Sequence, residues 1–201
     1  MDKKIIINVG RQFGSGGRQV AVELGKRLGI PVYDNELISK AAEESGLSEH
    51  LFASKDEKRS LFSMSAFFSS GRFASANNYI GENELFKIQS EVIRSIAQKG
   101  SAIFIGRCSD YILRDMDCLD VFITAPEEER IKRVSLREGI SEEEAGSLIK
   151  RRDHTRKSYY DYFTFGNWGV SSNYDLSIDS SILGIEETAE YIIDFLKRKN
   201  K

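Results

Sequence analysis

Short, almost wholly apolar runs alternate along this chain with longer stretches whose apolar residues recur every three or four positions. Ile5-Ile6-Ile7-Asn8-Val9 is the first run, β-branched and broken only by Asn8, the pattern of a strand covered on both faces. Val20, Ala21, Leu24 and Leu28 then fall at helical spacing, and Gly29 supplies the stop. Pro31-Val32-Tyr33 reads as a short second strand, followed by a helix over 36–44. Leu85, Ile88, Val92, Ile93 and Ile96 make one stripe of a helix over 85–98, ended by Gly100. Ala102-Ile103-Phe104-Ile105 and Leu119-Asp120-Val121-Phe122-Ile123 read as buried strands. Pro126 opens a helix over 127–137 with acids in its first turn, as the helix dipole favours. Ser141-Glu142-Glu143-Glu144 has capping-box spacing and starts a helix running to about Lys157. A last strand over 174–178 and an amphipathic helix over 185–198 complete the series. Strands alternating with helices imply parallel βαβ units and a three-layer α/β sheet with helices on both faces.

Two stretches interrupt the rhythm. Residues 47–83 are rich in Ser and Phe, as in Leu61-Phe62-Ser63-Met64-Ser65-Ala66-Phe67-Phe68, and have no continuous period. So long a loop without structure is unusual in a compact domain, which favours an insertion or lid whose phenylalanines are covered by closure or by a second subunit. Packing on the main sheet as ordinary helices is the alternative. Residues 159–168, with Tyr159, Tyr160, Tyr162, Phe163, Phe165 and Trp168, read as a second irregular aromatic patch able to stack a base or to seal an interface.

A length of 201 residues suits one domain, and 40% hydrophobic residues allow a real core. The 29 basic and 31 acidic residues leave a net charge of -2, so nothing general points to a nucleic-acid partner. Cys108 and Cys118 form no paired metal or redox motif, which excludes a disulfide framework and suits a reducing compartment. The N-terminal apolar run lacks the longer core of a signal peptide, and no run approaches the roughly 20 apolar residues needed to span a bilayer. The expectation is a cytoplasmic globular protein with no membrane partner. His50 and His154 stand apart from other ligand types, so no metal site is expected from protein side chains.

Candidate chemistry concentrates after the first strand, in Arg11-Gln12-Phe13-Gly14-Ser15-Gly16-Gly17-Arg18. A strand, a glycine-rich turn and a helix aim backbone N–H groups and a helix dipole at one spot, a ready anion site. Gly14, Gly16 and Gly17 can take positive φ and admit phosphate oxygens, and Ser15 keeps the loop small. A tight strand-to-helix turn without a ligand is the alternative. The strict P-loop, G-x-x-x-x-G-K-[ST], is not present.

Gly14-Ser15-Gly16-Gly17-Arg18-Gln19-Val20-Ala21, continued by Leu24-Gly25-Lys26-Arg27-Leu28-Gly29-Ile30-Pro31-Val32-Tyr33-Asp34, resembles the opening of the cytidylate kinases, within the nucleoside monophosphate kinases. Ile105-Gly106-Arg107 is similar to the Gly-Arg-Asp after their third strand. The run 123–133, from Ile123-Thr124-Ala125-Pro126, is similar to their fourth strand and following helix. Lys150-Arg151-Arg152-Asp153 looks like the start of their lid, and 174–179 like their last strand. The closest likeness is to the cytidylate kinase-like branch whose loop reads Arg-x-Phe-Gly-Ser-Gly-Gly-Arg. The resemblance implies a P-loop NTPase fold: a five-stranded parallel sheet in the order 2-3-1-4-5, with a helical acceptor-binding insertion at 47–83 and a lid at 150–170. It also implies ATP and Mg²⁺ as donor and metal, and a nucleotide acceptor.

Aligned on Val20-Ala21, Gly17 stands where the P-loop lysine belongs, Arg18 where the Mg²⁺-ligating Ser or Thr belongs, and Arg11 where the first glycine belongs. Donor phosphate binding is then expected from Arg11, Gly14, Ser15, Gly16, Gly17 and Arg18, with Arg18 or Arg11 replacing the lysine charge. Arg18 cannot ligate Mg²⁺, and Gln19 would do so weakly or through water. Asp34, Lys40 and Arg107 fall at acceptor-side positions; Asp34 is alternatively a helix cap. Asp110 reads as a cap or an arginine partner. Arg152 and Arg156 match lid arginines that neutralise transferring phosphate, and Arg18 joins them as a candidate catalytic cation. A solvated helix face paired with 142–144 is the plainer reading of that basic cluster. Two functions stand at this point: phosphoryl transfer to a nucleoside monophosphate or related small acceptor, and a nucleotide-binding sensor or scaffold on a kinase fold without turnover. The aromatic insertion would support self-association.

Overall fold

The computed structural model describes residues 4–44 and 82–199. Nearly all of the 47–83 stretch, with the insertion, His50 and any contact they make, therefore lies outside the described residues; Glu82 and Asn83 open a helix. In chain order the elements are β1 (Ile6–Arg11), α1 (Gly17–Leu28), β2 (Val32–Tyr33) and α2 (Asn35–Glu44), then α3 (Glu82–Lys99) and β3 (Ala102–Ile105). They continue with α4 (Ser109–Ile112), β4 (Leu119–Thr124), α5 (Glu127–Glu138), α6 (Glu142–Thr164), a short 3₁₀ turn (Ser171–Asn173), β5 (Leu176–Asp179) and α7 (Ser180–Lys199).

The five strands lie in the order β2-β3-β1-β4-β5, and every pair is parallel. Register places Val9 beside Ile105 on one flank and Val121 on the other, so the carboxyl ends of β1, β3 and β4 finish together. Period-2 alternation then divides the strand residues between two cores. Ile7, Val9, Ile103, Ile105, Val121 and Ile123 face Val20, Ala21 and Leu24 of α1 and Ala189, Ile192 and Leu196 of α7. Ile6, Ala102 and Phe104 face Ile38 of α2 and Ile88, Val92 and Ile93 of α3. Each buried Val, Leu, Ile or Phe among them contributes roughly 1.5–3 kcal/mol, which is why the apolar runs alone locate the strands. Among the described residues no helix is long and apolar enough to cross a membrane.

Three boundaries differ from those expected. β1 runs on through Gly10 and Arg11, because β4 extends beside it: Arg11 pairs with Ile123, and the Gln12 N–H donates to the Ile123 carbonyl at 3.1 Å. Arg11 is thus a strand residue rather than part of the turn. Residues 159–164, expected to be irregular, are the last turns of α6. Phe163 stacks on Phe86 of α3 at 4.2 Å between ring centroids, and Tyr159 packs on Phe163 at 4.7 Å, tertiary contacts that outweigh the modest helix propensity of aromatic residues. Tyr174 lies outside β5; its ring packs on Phe122 at 4.9 Å, where Trp168 also meets that ring edge-on at 5.4 Å. Trp168 therefore packs against the face of the sheet at β4. Phe165, 91% exposed, remains open.

Candidate functional site

The glycine loop is fixed from three sides. Gly14 and Gly16 are left-handed, at φ 81° and 78°, which turns the chain from β1 into α1. A Cβ on Gly16 would lie 2.5 Å from Ile185 Cδ1 and would sit on left-handed backbone, so a larger residue there is strained. Ser15 is fully buried; its Oγ donates to the Gln12 carbonyl at 2.9 Å, and Ser180 Oγ donates to the Ser15 carbonyl. Ser15 thereby shapes the loop from within. On the next side, Arg133 Nη1 donates to Ser180 Oγ at 3.1 Å. On the third, Asp153 of α6 accepts from the Phe13 N–H at 2.7 Å while Arg130 of α5 donates to the Phe13 carbonyl at 3.3 Å. Helix α1 begins at Gly17 with no side-chain cap from Gly16; the Gly17 N–H reaches Ser15 Oγ at 3.4 Å, and with no acid in the first turn its positive end is left open to an anion.

Arginines surround that open end. Arg11, last residue of β1, lies over Gly17 and extends to the end of β3: a Cβ on Gly17 would lie 2.5 Å from Arg11 Cβ, and one on Gly106 2.0 Å from Arg11 Nη1. Arg156 donates from Nη1 to the Arg11 carbonyl at 3.1 Å. Burial pushes the Arg11 guanidinium down to about 9, and the charges of Arg156, Arg107 and Arg18 push the same way against a smaller opposing effect of Asp34. Burial likewise brings Arg156 down to about 10, opposed by Asp153 and aided by Arg152 and Arg137. The Phe13 ring organises this flank, with the guanidinium carbons of Arg137, Arg156 and Arg152 at 5.1, 5.3 and 6.0 Å from its centroid.

Arg107 leaves β3 through three consecutive left-handed residues, Gly106, Arg107 and Cys108, at φ 69°, 62° and 58°. Such backbone in non-glycine residues costs of order 1–3 kcal/mol each and is characteristic of sites where a side chain must be aimed. Its guanidinium donates to Gln89 Oε1 from Nε at 3.0 Å and to Tyr159 Oη from Nη2 at 2.9 Å, and lies 4.3 Å from the Tyr159 ring centroid. Gln89 is buried, and its Nε2 has no hydrogen-bond partner among the described residues. Arg18 faces outward, its side chain 71% exposed, and holds Asp34 Oδ2 at 2.9 Å. The other Asp34 oxygen accepts from the Glu36 and Leu37 amides, both at 3.2 Å, so Asp34 caps α2. Burial alone would raise this carboxyl; Arg18 and the two amides outweigh it and hold it below the ordinary range.

Of the residues singled out from sequence, Arg11, Gly14, Ser15, Gly16, Gly17, Arg18, Asp34, Arg107 and Arg156 meet around the carboxyl ends of β1 and β3, with Arg152 beside Phe13. Lys40 lies exposed on α2. Asp110 lies in the first turn of α4, where its carboxyl meets the Tyr111 amide and its own, and it also accepts from Tyr160 Oη at 2.7 Å. Gln89, Arg130 and Arg133 were not singled out, and Asp153 and Tyr159 were read only as part of the lid start and of the aromatic patch; only their placement on helices facing the loop could have signalled these contacts. For Mg²⁺ the donor set does not fit a protein-held ion. Arg18 occupies the hydroxyl position, Asp34 is committed to Arg18 and to helix amides, and the described residues contain no group of three or more carboxylate, His or Cys ligands.

A parallel sheet in this order, with a glycine turn leading from its central strand into a helix at the sheet's carboxyl edge, is the P-loop kinase fold. The cytidylate kinase-like family model matches residues 6–182, and the chain belongs to that family. A curated relative, the cytidylate kinase of Methanobrevibacter smithii, is 30% identical across 96% of this chain and 99% of its own length. Among solved structures, an uncharacterized protein from Eubacterium ventriosum superposes with a TM-score of 0.75 at 27% identity, covering 96% of this chain and 99% of that one. A shikimate kinase from Bacteroides thetaiotaomicron, at 13% identity, TM-score 0.55 and coverage of 97% and 99%, shares the fold.

Proposed function

We propose that this protein transfers the γ-phosphoryl group of ATP to a nucleoside monophosphate of the cytidylate type, or to a closely related small phosphate-bearing acceptor. The observation that carries the reading is the meeting of Arg11, Arg107 and Arg156 at the open start of α1, where the carboxyl ends of β1 and β3 finish. Ligands of open α/β sheets bind at such an edge. Phosphoryl transfer asks little covalent chemistry of a protein; it asks for alignment and for cations around oxygens that gather charge. Family membership supports a nucleotide substrate.

In this reading the amides of loop 14–18 and the α1 dipole hold the donor phosphates, and Arg11 and Arg18 add charge from either side. Arg107 receives the acceptor phosphate, with Asp34 orienting the acceptor and Lys40 contributing charge at its periphery. Helix α6 is the lid element, bringing Arg152 and Arg156 to the transferring group. Mg²⁺ enters bound to ATP, as part of the substrate, held by phosphate oxygens and water. Its contribution is to neutralise charge between the β- and γ-phosphates.

A second reading, a nucleotide sensor or scaffold without turnover, draws on Gly17 at the lysine position and on the pairing of Arg18 with Asp34. Chromatography of mixtures of protein, MgATP and each nucleoside monophosphate separates the two. The kinase reading expects a nucleoside diphosphate, most readily from CMP or UMP; binding of ATP without diphosphate from any monophosphate favours the sensor.

A further inference from the structure

Two positions of the loop have exchanged side chains relative to the strict motif: an arginine stands at its first glycine and a glycine at its lysine. In the fold these positions face one another. A Cβ on Gly17 would lie 2.5 Å from Arg11 Cβ, 3.1 Å from Arg11 Cγ and 3.1 Å from Ile123 Cβ. One small volume at the root of the loop therefore admits a side chain from residue 11 or from residue 17, and not from both. We propose that Arg11 takes the role of the missing lysine, reaching the transferring phosphoryl group from the strand through the space that Gly17 leaves empty.

The direction and surroundings of the side chain support this assignment, which rests on the kinase reading above. Arg11 Nη1 lies where a Cβ on Gly106 would be, so the guanidinium spans from the glycine loop to the end of β3, between the donor and acceptor sides. Glycine at position 106, itself left-handed, leaves no Cβ in its path. No hydrogen bond or opposed carboxylate among the described residues engages it directly, whereas Arg18 spends its guanidinium on Asp34 at the surface. Burial and the neighbouring Arg156 and Arg107 charges disfavour the Arg11 cation, yet it stays protonated at neutral pH. A phosphate anion placed among the three guanidinium groups relieves that repulsion.

In the step itself, the bond between Pγ and the β–γ bridging oxygen breaks as a bond from an acceptor phosphate oxygen to Pγ forms. The electron pair of the broken bond stays on the ADP oxygen. Arg11 keeps its protons throughout and donates hydrogen bonds to the oxygens whose charge rises.

The test compares Arg11→Met, Arg11→Gly, Gly17→Lys and the double variant Arg11→Gly/Gly17→Lys with the parent protein. Product formation from MgATP and CMP gives kcat and KM, calorimetry gives affinity for β,γ-imido-ATP, and thermal unfolding identifies variants that do not fold. Arg11→Met should lower kcat by about 100-fold, the range for loss of one charge-stabilising donor. Gly17→Lys alone should be at least as impaired, because its side chain enters the volume Arg11 fills. The double variant restores a lysine with room for it and should recover at least about tenfold in kcat over Arg11→Gly, a reciprocity that a merely structural Arg11 does not produce. Folded Arg11→Met with parental kcat, or a folded double variant no better than Arg11→Gly, overturns the proposal. If the parent protein makes no diphosphate from any monophosphate, the kinase reading fails instead, and the analogue affinities decide. Loss in Arg11→Met with recovery in the double variant supports the phosphate contact, and equal affinity in Arg11→Met overturns it.

Discussion

Asp153 of α6 and Arg130 of α5 form an ion pair at 2.6 Å, with Arg130 only 8% exposed, and together they grip both backbone groups of Phe13. One carboxylate thus supports a buried guanidinium and the turn into the glycine loop. Replacing it by alanine leaves Arg130, whose Nε already lacks a partner among the described residues, buried without this counter-charge and orphans the Phe13 N–H. Asp153→Ala should therefore cost about 3–5 kcal/mol of stability, as expected for half of a buried pair. Asp153→Asn, which keeps an acceptor for Phe13, should cost less. Urea unfolding of both variants measures the difference, and a loss below about 1 kcal/mol for Asp153→Ala contradicts the assignment.

Arg107 is held by Gln89 and Tyr159 from two different helices, α3 and α6. An acceptor phosphate must compete with, or add to, those contacts. Gln89→Glu places a carboxylate against the guanidinium and should raise KM for the monophosphate about tenfold, the worth of one hydrogen bond to a charged group. KM for ATP should change little. Steady-state kinetics with each substrate varied in turn checks this; equal rises in both KM values would point to a disturbance of the loop instead.

Asp120 lies in β4 beside Asn8, which donates Nδ2 to its Oδ1 at 2.8 Å. Burial, then Asp110 and Asp175, push its carboxyl up to about 6 against the opposing Asn8 hydrogen bond and Lys199. A carboxyl whose folded value lies above its unfolded one makes the ionised folded state costly, so its stability penalty grows as pH rises from about 4 to about 6. Asp120→Asn keeps the acceptor and removes the charge. It should stabilise the protein by about 1–2 kcal/mol at pH 7, after allowance for partial solvent exposure, and by much less at pH 4. Denaturant unfolding at the two pH values tests the sign; a variant less stable than the parent at pH 7 contradicts it.

The strands were legible because strands buried on both faces read as short apolar runs, and the glycine loop because turns of this shape need residues without a Cβ; the strand order came only from the family resemblance. The division of labour among arginines was not. Arg11 and Arg18 look alike in sequence, each a cation flanking glycines. What separates them is the length of β4, which keeps Arg11 in the sheet and turns its side chain over Gly17, while Arg18 begins a helix and meets Asp34. Gln89 was equally silent, since one amide in a helical stripe looks like any other until α6 brings Tyr159 beside Arg107. The aromatic run at 159–163 was misjudged for the same reason: its covering ring, Phe86, is remote in the chain.

The central claim is that the arginine-ringed loop transfers phosphate and does not merely bind it. The most direct measurement is a single-turnover reaction with the protein in excess over ATP labelled at the γ-phosphate, with Mg²⁺ and CMP present, quenched over time and separated by chromatography. The account predicts that the label moves into the β-position of CDP, and that it does so only when the acceptor is added. Label that remains in ATP, or that leaves as inorganic phosphate at the same rate with and without CMP, would contradict it.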